Sequence, residues 1–106
     1  MRMNQDVIIA RIIAASKDIF ACEKAIVTLK DIYHSAIRQY LLKHGDPRAH
    51  CGSLSPEKRE YEGVIEHTKH HYRVLMKKKR ELYNAHRRHR RATQALLKHQ
   101  SKKTDE

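Results

Sequence analysis

A seven-residue repeat constrains this chain more than any other feature. From Asn4 to Lys43 one apolar set recurs at Ile12, Ile19, Ile26, Tyr33 and Tyr40, and a second, offset by three, at Ile8, Ala15, Cys22, Leu29 and Ala36. Only a helix brings positions with that spacing onto one line, so helix is expected over about 4–43. Asn4 suits the N-cap and Asp6 the first turn, while His44-Gly45-Asp46-Pro47 supplies a glycine and then a proline to end the pattern.

A second repeat follows Ser55-Pro56-Glu57, which reads as an N-cap, a proline at the first helical position and an acid in the first turn. Tyr61, Ile65, Thr68, Tyr72, Leu75, Lys79, Leu82, His86, His89, Thr93 and Leu96 recur at spacings of four and three. These predict a second helix over about 55–101, a turn over about 44–54 and a short disordered C-terminal tail. Gly63 lies in phase within the helix, where glycine costs about 1 kcal/mol relative to alanine. Two long helices and one turn predict an all-α, coiled-coil-like antiparallel hairpin in a single domain. Folding about the turn pairs Tyr40 with Tyr61, Tyr33 with Thr68, Leu29 with Tyr72 and Ile19 with Leu82. Beyond Leu82 the second seam turns to His86, His89 and Thr93, so that end is expected to be poorly sealed.

The first helix carries more apolar surface than one partner helix covers. Ile9, Ile13, Phe20, Val27, Ile37 and Leu41 widen its apolar arc to roughly 160° at about 100° per residue. This flank is the expected partner-binding surface, completed into a four-helix bundle by dimerisation or covered by a different protein. The alternative is a break within residues 1–43 that folds the surplus into a three-helix bundle.

Charge separates the two helices sharply. The net charge is +11 in a chain of 106 residues. Residues 69–103 alone hold thirteen Lys or Arg against one acid. Opposite the second seam, Arg73, Lys77, Arg80, Asn84, Arg87, Arg91, Gln94 and Lys98 form a stripe roughly 37 Å long at about 1.5 Å per residue. Lys69, Lys78, Arg88 and Arg90 widen it. A merely solvated face would mix signs and use Glu to Lys pairs at i and i+4. A row of one sign calls for an anionic partner, and the candidate nucleic-acid contacts are Arg73, Lys77, Lys78, Arg80, Arg87, Arg88, Arg90, Arg91 and Lys98. Contact would run mainly to phosphates, with steep salt dependence and little base reading. A membrane surface fits less well, since Lys79, His86 and His89 stand where insertion would need bulky apolar residues.

No catalytic pattern is present: there is no glycine-rich phosphate loop, nucleophile elbow or H-E-x-x-H, and a hairpin offers no pocket in which to tune paired acids. The nine histidines raise a metal reading. Its best cluster, His44, Asp46, His50 and Cys51, has its closest pair on adjacent residues, a poor chelating geometry, so neither metal nor cofactor is expected. A juxtaposition of His34 with His67 follows from the pairing above. His86 and His89, on protonation, would make their end more basic. Cys22 and Cys51 read as free thiols of a reducing compartment, and without a signal-like leader or apolar span the expected location is cytoplasmic.

The sequence therefore predicts a small non-enzymatic accessory or regulatory protein that binds DNA or RNA through its basic helix. The alternative is a modulator or inhibitor docking on a larger nucleic-acid-processing enzyme through the apolar flank of helix 1 and the basic helix. A coiled-coil adaptor without nucleic acid is the third reading.

Overall fold

The computed structural model describes residues 4–47 and 58–104. Every regular element among them is helical: α1 over Gln5–His44, a 3-10 turn over Arg59–Tyr61 and α2 over Glu62–Thr104. The all-α class and the two long helices are as the repeats predict, and α1 runs without the break that a three-helix bundle requires. Its start is capped as expected, the Val7 N–H donating to Asn4 Oδ1 at 2.9 Å. Its end is set by Gly45, whose φ of 91° is open to glycine at little cost.

The second helix starts later than Ser55. Ser55, Pro56 and Glu57 lie outside the described residues, but Lys58 has extended backbone at φ −88° and ψ 124°. Lys58 itself is therefore not helical. The chain instead enters through the 3-10 turn, the Tyr61 N–H donating to the Lys58 carbonyl at 3.1 Å. Tyr61 itself is fully buried, so packing of this one ring fixes where the chain begins to coil.

The chain divides into two compact units, one of Met1–Ala25 with Lys78–Glu106 and one of Ile26–Lys77. In the unit of Ile26–Lys77 the helices run antiparallel around a core of Leu41, Tyr61 and Val64, flanked by Ile37, Tyr40 and Ile65. This corrects two partner-surface assignments, since Leu41 is 6% exposed and Ile37 is half-buried. Tyr61 at the end of the 3-10 turn and Val64 in the first turn of α2 pack against that side of α1. Ile26 and Leu75 extend the buried line. Thr68 is buried as well, its hydroxyl donating to the Val64 carbonyl at 2.7 Å, so no polar group of that side chain is left unmet.

Register differs from the expected pairing by about one helical turn. Tyr33 meets Tyr72, with ring centroids 5.8 Å apart, where Thr68 was expected. Tyr40 lies against His67 at 5.2 Å and His44 at 4.3 Å, so His67 faces a tyrosine instead of His34. Gly63 has its reason here, because a Cβ at that position would run into the Tyr40 hydroxyl. The helix gives up propensity at Gly63 to let the hydroxyl end of this ring come close to its backbone.

In the other unit the inner face is built from Ile8, Ala15, Ala85 and Ala92. Of the two seam histidines expected here His86 is exposed and His89 is half-buried, and two alanines take the central places. Along α2 the inward line is Tyr61, Val64, Thr68, Leu75, Leu82, Ala85, Ala92 and Leu96. Half of the expected seam is kept, and the other half moves back by one residue. That is a rotation of roughly 50°, half the angle between successive helix residues. Burying Ala85 and Ala92 costs no desolvation, whereas turning Lys79 and His86 inward would put a charged and a polar side chain against apolar surface.

Candidate nucleic-acid interface

The outer face of α2 follows directly from that inner line. Arg80, Asn84, Arg87, Arg91, Gln94 and Lys98, all in the unit of Lys78–Glu106, are exposed. Arg80 to Lys98 covers about 27 Å at about 1.5 Å per residue. Arg73 and Lys77 are exposed on α2 within the unit of Ile26–Lys77. From Leu82 to Lys102 α2 contains six Lys or Arg and no acid. Like charges stacked at three- and four-residue spacing repel, so this face resists its own helix unless an anion neutralises it.

Three of the predicted contacts are already engaged, each differently. Lys78 lies on the inner side of α2, its side chain 33% exposed and its ammonium 2.7 Å from a Glu81 carboxylate oxygen. That hydrogen bond, and the carboxylate charge behind it, raise the Lys78 pKa above the ordinary lysine value. Its head is held by Glu81, which removes Lys78 from the outer row. Arg88 is the second: one guanidinium nitrogen stands 3.2 Å from Asp18 Oδ2 of α1, an exposed pair that adds little to stability but fixes where the arginine points. Arg87 is the third, its guanidinium 5.8 Å from the centre of the Tyr83 ring one turn earlier. Arg90, beside His86 and His89, is exposed.

Two residues that periodicity alone did not mark belong to this end of the molecule. Tyr83 is 63% exposed, the one tyrosine off both seams, and places an aromatic face among the cations. Arg11, from α1, lines a groove with Arg88 and Arg91 of α2. Only helix pairing brings Arg11 to them. Of the expected apolar partner surface, Ile13 and Phe20 stand 50% and 68% exposed, Ile9 is half-buried, and Val27, in the other unit, is 63% exposed.

His50 and Cys51 of the candidate metal cluster lie outside the described residues; among the described residues no group of three or more His, Cys, Asp or Glu could hold a metal ion. Cys22 is a half-buried free thiol. No described helix is long and apolar enough to cross a membrane.

In each unit a segment of α1 packs beside a segment of α2, and α2 carries an exposed basic row. No protein-family model, curated protein or solved structure matches it.

Proposed function

We propose that this protein is a non-enzymatic accessory or regulatory factor that holds DNA or RNA through the phosphate backbone along α2. The observation that carries the reading is the acid-free, exposed row Arg80, Arg87, Arg91 and Lys98 on one rigid helix. A helix presents such a row at fixed spacing, so the entropy of arranging separate cations is met by folding instead of binding. Guanidinium groups grip phosphate oxygens in pairs, and the resulting affinity comes from displaced counterions, not from base edges.

The test is a titration of labelled DNA and RNA, single- and double-stranded, with the full chain at a series of salt concentrations. Each phosphate neutralised adds about 0.9 to the slope of log K against log salt on B-DNA. Replacing Arg80, Arg87 and Arg91 together by Gln should lower that slope by roughly 3. Equal slopes for the variant and the unchanged chain would refute the reading.

A second reading is favoured by one observation, the 68% exposure of Phe20 beside the half-exposed Ile13. A second copy of the chain or a nucleic-acid-processing enzyme would cover that flank, and the basic helix would extend the enzyme's nucleic-acid path. Recovery of a stoichiometric protein partner that survives nuclease and high salt, and is lost on Phe20→Asp, supports this reading; loss of all bound material on nuclease treatment sinks it.

A further inference from the structure

Between α1 and α2, within the unit of Met1–Ala25 and Lys78–Glu106, lies a groove of about 490 Å³ on the side of the helix pair where Asp18 meets Arg88. Its floor is Ile8, Ala14, Ala15, Ala92 and Ala95. Its rim is Arg11, Arg88 and Arg91, with Asp18 the one acid lining it and already paired with Arg88. The α1 wall from Ile8 to Asp18 is about 15 Å long, close to three helical turns.

From this combination we infer that the groove is a docking site for an acidic amphipathic helix of another protein. Two helices packed side by side leave a valley that a third helix fills, and alanines on both walls let its backbone come close. Phosphates cannot use such a floor, because five apolar side chains would be covered by a strongly hydrated group with no gain. An acidic helix uses both parts, burying small apolar side chains on the alanines and offering carboxylates to Arg11 and Arg91.

Charge also selects the occupant. A second copy would bring either α2, with its excess of cations, or α1, which through residue 43 holds six Lys or Arg against four acids. Neither places an acidic face on three arginines. The partner is therefore a different chain with Asp or Glu flanking a line of Ala, Val or Leu at i, i+3 or i+4, and i+7. This site goes beyond the nucleic-acid reading and shares only Arg91 with the outer row, so an acidic helix seated here would compete with nucleic acid for that residue.

The probe is a synthetic peptide of about 18 residues with Leu and Ala on one helical face and Glu elsewhere, long enough to coil once its apolar face is covered. Controls are a scramble of the same composition without the apolar line and a version with Lys in place of Glu. Fluorescence anisotropy against the full chain should give binding of the acidic peptide alone. The Ala14→Phe variant, which adds a ring at an exposed groove position, should weaken it by at least about tenfold, and Arg11→Glu by about fivefold to tenfold. Backbone amide shifts should centre on Ala14, Ala15, Ala92 and Ala95. Equal binding of the scramble, an unaffected Ala14→Phe variant, shifts centred on Arg80 and Arg87, or no binding at all would each overturn the proposal. Duplex DNA titrated against Ala14→Phe should bind as before. Loss of DNA binding in the outer-row variant, or its absence throughout, bears on the phosphate reading alone.

Discussion

Replacing Gly63 by alanine sets two effects of known size against each other. Gly63 sits in the first turn of α2, where alanine should gain up to about 1 kcal/mol in helix propensity. Against this, the new methyl meets the Tyr40 hydroxyl and stands 3.2 Å from its Cζ and 3.7 Å from Cε1. Moving the ring gives up its contacts with His44 and His67, whose centroids lie 4.3 Å and 5.2 Å away. Crowding of one methyl into a packed site costs about 1–3 kcal/mol. The net expectation is a loss of about 1 kcal/mol, a fall of roughly 4–8 °C in Tm for a domain of this size. Urea unfolding followed by circular dichroism measures it. Combining Gly63→Ala with Tyr40→Phe removes the nearest atom, and the pair should recover at least about 1 kcal/mol beyond the sum of the single changes. If Gly63→Ala alone stabilises the protein by the full propensity gain, Tyr40 does not hold this helix start and the reasoning fails.

Other outcomes follow from the same packing. Leu41→Ala should cost about 2–5 kcal/mol in a urea titration, whereas Phe20→Ala should change stability by less than about 0.5 kcal/mol; comparable losses would contradict the division of the apolar flank into core and open surface. Glu81→Gln should return the Lys78 amine to the ordinary lysine range in an NMR titration. The sign is that of a raised lysine: the stabilisation is fully present below the ordinary lysine pKa and is lost only as pH rises through the higher folded value, so stability from pH 6 to 9 should not respond to this pair. A Lys78 titration identical in the variant would show that Glu81 is not the cause. His99 is half-buried with its Nδ1 shielded and without a partner among the described residues, so His99→Leu should stabilise by about 1 kcal/mol; a loss of that size would mean the ring has a partner.

Much of the architecture could be read from spacing alone. The heptads in α1 named residues that are all buried or half-buried from Ile8 to Tyr40, but they left Ile37 and Leu41, at the neighbouring phase, on the wrong side of the division between core and open surface. The same method placed only half of the α2 seam. Residues at neighbouring phases there, Val64 and Ile65 or Ala85 and His86, both fit a three-four alternation, and the choice between them depends on how closely the backbones approach. The outer row was legible because charge excludes it from either seam. Arg11 and Tyr83 were not, the first because it comes from the other helix and the second because a single aromatic carries no period.

By itself the sequence determined that the chain forms two long helices, where the first is capped and stopped, and that the second is basic on its outer side, since these depend on local spacing, capping and charge. The tertiary structure decided the rest. Tyr61 packing set the start of α2, the Tyr40 ring over Gly63 set the register, and Ala85 and Ala92 set the rotation. Lys78 left the outer row because Glu81 took its charge, and Arg11 joined Arg91 because the helices lie side by side. Apart from the local Lys78–Glu81 pair, each of these turns on contact between residues distant in sequence, where shape and desolvation decide among phases that periodicity leaves equal.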